Sequence, residues 1–407
     1  MVRWRALTVA GLAVIAGAFL VGPILEATTM DAAATSGPYL VANGAAFSAS
    51  SRLVFQNPRG LHQYYAMYYY GGDFTWWYEY SSDGIHWSVP QGSTDGGLGS
   101  GSWWIYDTGS LLVVHFVATD LIGSKLLYLR GTIADTAQAI TWSGVQIVDP
   151  GGNNARNFGL SVTRTANGRP VITAVKESFV SPSYRYEVRA WGADRDSPAP
   201  VWKSATLMST VNSVSQQNTG FTSAYATTGD YVSVAASAAR GISQGSPWDV
   251  SWIRASWNGA SWSTGTLTVL RSGESQARAP SLVLDEAARP QALVAYPSPT
   301  PQLIHYRGTV PDGTTYQTYV LSTQVVTAST LTVDRSVNPA SLKAIYHYGT
   351  ANIYWRSSSA NATFFWGPEN TIAWSMNATD LSSSQREYVG KVHASVESSS
   401  GVYYFNI

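Results

Sequence analysis

Glu177, Asp73 and Asp120 each stand where a strand-like run gives way to a Gly/Ser/Asn-rich loop. Carboxylates gathered by such loops can serve glycoside cleavage as acid, base or nucleophile. Arg156 and Arg278 share a position just ahead of a small-residue strand, and Arg240 falls in a long polar loop. Their guanidinium forks could hold a carboxylate or sulfate in bidentate fashion. Asp149 and Asp380 complete the candidate ligand set, together with Trp103 and Trp104, whose rings could stack on sugar faces. Each of these residues also has a plainer reading. Charges at strand ends are usually solvated or locally paired, and doubled aromatics pack one sheet against the next.

Composition narrows the partners. The chain has 407 residues, 45% hydrophobic and 13% aromatic, with only 12% charged and a formal net charge of zero. The basic footprint of a nucleic-acid binder is absent. There is no cysteine, so disulfides and thiolate metal sites are excluded. The six histidines show no metal-ligand spacing, and zinc is not expected. No cofactor is implied; loop carboxylates and carbonyls could hold a structural calcium, for example near Asp149-Pro150-Gly151-Gly152. No phosphate-binding loop or nucleophile elbow is present.

The N-terminus speaks to compartment. Arg3 and Arg5 precede an uncharged run over residues 6–25, closed by Glu26, with Ala32-Ala33-Ala34 beyond. That pattern fits a secretory signal peptide, and the run is also long enough for an uncleaved membrane anchor. Either arrangement places the body of the chain outside, in the extracellular space or on the cell surface. Residues 1–37 are therefore set apart, and 38–407 are read as one folded domain. Asn361-Ala362-Thr363 and Asn377-Ala378-Thr379 are glycosylation sequons compatible with export.

The elements that must position the candidates repeat. Short Val/Ile/Tyr/Trp/Thr-rich runs alternate with turn residues, and helical periodicity is missing from residue 38 onward. The stretch SSDGIHWS at residues 81–88 returns as SWNGASWS at 256–263. Asp-Gly or Asn-Gly between aromatic-rich strands signals a tight hairpin, with Gly taking positive φ. Aromatics equivalent to Trp87 recur at Trp142, Trp202, Trp262, Tyr316 and Trp366, separated by 55, 60, 60, 54 and 50 residues. Three more strands fit within each interval, and four strands per repeat of this length predict an all-β propeller.

The blades are placed near residues 50–92, 102–148, 156–210, 218–271, 278–322, 328–374 and 378–407, the last completed by 38–48. Closure by a strand from the other terminus removes exposed sheet edges and gives seven blades. Without that pairing the count is six.

In its repeated hairpin the chain resembles the Asp-box (BNR-repeat) propellers typified by sialidases. Their motif reads Ser-x-Asp-x-Gly-x-x-Trp, and Ser81, Asp83, Gly84 and Trp87 look like a form of it contracted by one residue. Ser256, Asn258, Gly259 and Trp262 repeat the pattern with Asn in place of Asp. The resemblance implies a structural box on the face away from the active site. Sialidases also carry a Phe/Tyr-Arg-Ile-Pro arginine, whereas Ser51-Arg52-Leu53-Val54 lacks the proline and the preceding aromatic. The expectation is an exported propeller that recognises carbohydrate or a cell-surface glycoconjugate on its loop-rich face. Two alternatives stand beside it: a sialidase-like glycoside hydrolase, and a surface assembly protein meeting the membrane only through its N-terminus.

Overall fold

A computed structural model describes residues 36–407 apart from 47–51, 93–96, 153–154, 213–220, 227–228, 240–247, 275–276, 351, 360–363 and 389. The described chain forms seven antiparallel sheets and no helix. Arranged as a ring, they make a seven-bladed β-propeller, in agreement with the repeat count. Blade 3 shows the plan: Ala155–Arg164 is innermost, followed outward by Pro170–Val180, Ser183–Ala193 and Trp202–Asn212. In blades 2 and 4 the outer position is shared by two short segments, such as Thr141–Trp142 and Gln146–Asp149 on Leu126–Ala134.

Blade 7 is built from both ends of the described chain. Ser36–Asn43 pairs with Gly401–Asn406, in register from Ser36↔Asn406 to Asn43↔Gly401. The closing strand thus begins a little before the expected segment and ends earlier. Every backbone group it pairs would otherwise be an open edge on the last blade.

The small-residue inner strands have a physical purpose. Their hydroxyls receive N–H groups from the adjoining blade: Ala224 N donates to Ser161 Oγ, Leu282 N to Ser223 Oγ, Leu331 N to Ser281 Oγ and Leu53 N to Ser382 Oγ, at 2.8–3.0 Å. Short side chains let the inner strands approach closely, and each hydroxyl satisfies a buried amide that the sheet ladder leaves over. Further out, both faces of each blade are covered by neighbours, which explains the doubled aromatics. Trp76 lies so close to Gly101 of the next blade that a Cβ there would sit 2.6 Å from the indole, and Trp257 covers Gly192 in the same way at 2.5 Å.

The repeated hairpin has one geometry in both copies. Asp83 Oδ1 accepts the Ile85 and His86 N–H groups at 2.8 Å, and Asn258 Oδ1 accepts those of Ala260 and Ser261 at 2.8 Å. Gly84 and Gly259 follow at φ +76° and +93°. Trp87 then packs edge-on against Tyr404 of blade 7, 5.3 Å between centroids. The turn itself uses only Oδ1, and Oδ2 meets only the exposed His86 ring at 2.7 Å, so Asp83→Asn should change the thermal midpoint little, whereas Asp83→Ala should lower it. Equal midpoints for the two variants, measured by calorimetry, would disprove a turn-capping role.

Candidate functional site

One end of the ring carries the loops between second and third strands and those entering each inner strand. Asp73, between Tyr64–Tyr70 and Thr75–Ser81, lies at this end, as does Asp120, which closes Leu111–Asp120. Arg156 stands near the start of an inner strand, Asp380 opens the innermost strand of blade 7, and Arg278 precedes Ser281–Leu284 of blade 5. The fold therefore gathers these candidates at one end, but few of them converge on a common point.

Asp73 and Asp120 act locally. Asp73 Oδ1 accepts the Thr75 N–H at 3.1 Å and its Oδ2 the Trp77 indole N–H at 3.2 Å, while Asp120 accepts Ser124 Oγ–H at 2.6 Å and the Lys125 N–H at 3.1 Å. Both carboxylates stabilise the loop between second and third strands. Asp149 is buried against Lys176 of the next blade, Oδ2 to Nζ 2.6 Å, and its other oxygen accepts the Gly151 N–H at 2.9 Å. Both of its oxygens are thus engaged in a tie between blades 2 and 3. Among the described residues no group of three or more His, Asp or Glu is placed to hold a metal.

Glu177 is buried, and the Tyr186 hydroxyl on the adjacent strand donates to it. Arg156, Glu177 and Tyr186 are register partners across three strands. A second buried pair of this kind escaped the sequence reading. In blade 1 the Tyr68 hydroxyl donates to Glu79 Oε1 at 2.6 Å, and burial pushes the Glu79 carboxyl up to about 7. Its only sequence signal was a lone acid in the aromatic strand TWWYEYS.

Trp103 and Trp104 are packed inside. Trp103 meets Phe55 edge-on at 5.2 Å and Trp104 meets Tyr225 at 5.0 Å, and both are buried. Neither ring has a face open to a ligand. Arg240 and Asn361 lie outside the described residues; Asn377 is exposed.

The arrangement left at the mouth of the channel is compact. Asp380 is the register partner of Glu397 on the next strand, and both are half-buried. Burial raises the Asp380 carboxyl well above the usual range and the Glu397 charge raises it further, while the Leu381 N–H and Arg278 pull it back. Arg278 is exposed, and its guanidinium has no hydrogen-bond partner among the described residues; only its backbone N–H is used, to Ala295 O at 2.9 Å. Glu397 was not foreseen, because a single acid in the strand HASVES reads as solvated.

Beneath the mouth the channel is crossed by Arg52. This buried guanidinium donates to Leu331 O at 2.6 Å, Ser383 Oγ at 2.8 Å, Leu282 O at 2.8 Å and Ser281 Oγ at 3.3 Å. It thereby joins blade 1 to blades 5, 6 and 7. The arginine nearest in sequence to the sialidase clamp is fully engaged by the ring itself.

No family model matches the chain, and no characterised protein matches it in sequence. Solved structures match its fold. A polysaccharide lyase of family PL25, an ulvan lyase bound to -[GlcA(1-4)Rha3S]-, superposes with a TM-score of 0.57 over 90% of this chain and 94% of that one, at 13% identity. The BP39L lectin from Burkholderia pseudomallei gives 0.51 over 90% and 98%, at 12% identity. At such identity the likeness is one of architecture. The chain shares the propeller fold with proteins that act on or bind glycans.

Proposed function

We propose that the protein is an exported recognition module that binds glycans, including those of cell surfaces, at the mouth of its channel. The observation that carries this reading is the Asp380–Glu397 pair beside the guanidinium of Arg278, which has no hydrogen-bond partner among the described residues. Paired carboxyl oxygens accept from vicinal hydroxyls, and an unpaired arginine donates to ring or acidic oxygens, which suits a polyhydroxylated ligand. Arg52 closes the floor, so a ligand would rest on the mouth rather than thread the ring. Ser36, at the start of the closing strand, pairs with Asn406 at the end opposite the mouth. The lyase and lectin propellers support a glycan over other ligands by architecture alone.

The test is a glycan array probed with the protein, followed by titration of the best ligand. Asp380→Asn and Arg278→Gln should each weaken binding by roughly tenfold or more, the worth of one charge-assisted hydrogen bond. Absence of any glycan ligand on the array would overturn the proposal.

A second reading rests on the same pair. Two carboxyls side by side, one of them raised by burial and by its neighbour's charge, form the kind of pair that glycoside cleavage uses as acid and base. Turnover of a fluorogenic glycoside panel, abolished by Asp380→Asn and by Glu397→Gln, would establish a hydrolase in place of a lectin.

A further inference from the structure

The end of the ring opposite the mouth carries a cleft between blades 5 and 6, independent of the site just described. It encloses about 100 Å³. One wall is the turn over residues 285–289, which joins the inner and second strands of blade 5, and Arg307 of the third strand. The other wall is Pro339, Ala340, Leu342 and Phe364 of blade 6.

The polar wall is preorganised by a single relay. Trp366 Nε1–H donates to His305 Nδ1 at 3.3 Å, so the imidazole carries its proton on Nε2 and donates to Gln291 Oε1 at 3.1 Å. Gln291 Nε2 in turn donates to Asp285 Oδ2 at 3.1 Å. Asp285 also accepts Arg289 Nε–H at 2.8 Å and the N–H groups of Ala287 and Arg289 at 3.0 and 2.9 Å. Four donors thus saturate this carboxylate. It holds the Arg289 side chain in one orientation while leaving the terminal nitrogens of that guanidinium without a partner among the described residues.

Arg307, on the same wall, reaches toward the other with its guanidinium carbon 4.7 Å from the Phe364 centroid, and only Nη1 is engaged, by Gln317 Oε1 at 3.3 Å. Glu286 accepts the Ala340 N–H through Oε1 at 3.1 Å, and its Oε2 has no partner among the described residues. Two locked guanidinium groups with donors to offer, one acceptor oxygen and an apolar wall make an asymmetric site. An anionic group fits between the arginines, a hydroxyl meets Glu286, and a C–H face lies along Pro339, Leu342 and the Phe364 edge.

We infer that this inter-blade cleft is a ligand site of its own, which takes one acidic sugar unit by its carboxylate through Arg289 and Arg307. The fixed back wall lowers the ordering cost of binding, since neither arginine has to be recruited from solvent.

The test titrates the full-length protein with sodium glucuronate, glucose and inorganic sulfate, while the Trp366 indole N–H is followed by 15N NMR and assigned by Trp366→Phe. Glucuronate should shift that resonance saturably and bind at least about tenfold tighter than glucose. Arg307→Gln should weaken glucuronate by about tenfold, Arg195→Gln on the exposed surface of blade 3 should leave it unchanged, and Glu286→Gln, which keeps the acceptor for Ala340, should tighten it. Equal affinity for glucose and glucuronate would overturn the inference, as would sulfate binding equal to glucuronate, meaning an adventitious ion only. Glucuronate binding indifferent to both Arg307→Gln and Glu286→Gln would also overturn it. None of these outcomes bears on the mouth, whose own variants report separately.

Discussion

Arg52→Ala should be among the most damaging single substitutions in the ring, costing about 3–5 kcal/mol of stability. The reason is the number of blades that meet at one guanidinium. Its four acceptors belong to blades 5, 6 and 7, and two of them are the backbone carbonyls of Leu282 and Leu331. Truncation removes the charged donor from both buried oxygens, leaving Leu331 O only the long Ser281 Oγ–H bond at 3.3 Å, and opens a void where the side chain stood. Losing one partner of a buried, charge-assisted network typically costs about 3–5 kcal/mol. Burial lowers the Arg52 guanidinium to about 10, which still leaves it charged at neutral pH, so every one of its hydrogen bonds is charge-assisted. At roughly 2–4 °C per kcal/mol for a large domain, the midpoint should fall by about 6 °C or more. Arg52→Lys keeps the charge but has no planar fork, so it should fall between wild type and Ala. A midpoint for Arg52→Ala within about 1 °C of wild type would refute the hub role.

That role could not be read from the chain. Arg52 and its acceptor Ser383 are 331 positions apart, and nothing near Arg52 in sequence announces the contact. What was legible is local or periodic. The Asp-Gly and Asn-Gly hairpins and the evenly spaced aromatics fix where strands turn, since those rest on φ preferences and alternation within a few residues. Trp142, Trp202, Trp262 and Tyr316 do stand in or open outer strands as their spacing implies. The interior was harder to read. Trp103 and Trp104 looked ligand-facing because adjacent strand residues point to opposite faces, and in a sheet with one wet face one of them would be exposed. Inner strands of a propeller have a neighbouring blade on each side, so both indoles are buried. The mouth was half legible. Arg278 and Asp380 were placed by their common position ahead of or opening an inner strand, whereas Glu397 joins Asp380 only through pairing with the next strand.

The buried histidines set the second large effect, a loss of stability on acidification. Burial pushes His115 down to about 4, His305 to about 3 and His393 to about 4, and each ring is locked by a hydrogen bond, as from His115 Nδ1 to the Tyr128 hydroxyl at 2.8 Å. In the unfolded chain all three titrate near 6.5. The folded state therefore binds fewer protons between about pH 4 and 6.5, and stability held above that range is lost as pH falls through it. Two carboxyls oppose the trend. Glu79, raised to about 7 by burial, and Asp380, raised by burial and Glu397, bind protons in the folded state that the unfolded chain releases, so their contribution grows on acidification. Burial lowers His347 as well, so four histidines stand against two acids that oppose by at most one proton each; unfolding takes up at least about one net proton, or about 1.4 kcal/mol per pH unit. Between pH 6 and 4.5 the urea midpoint at constant m-value should fall by the equivalent of about 2 kcal/mol. Glu79→Gln removes one opposing proton and should steepen that slope, and His393→Gln should make it shallower. A slope that is flat in the wild type, or untouched by Glu79→Gln, would show that these groups do not titrate from their buried positions between the blades.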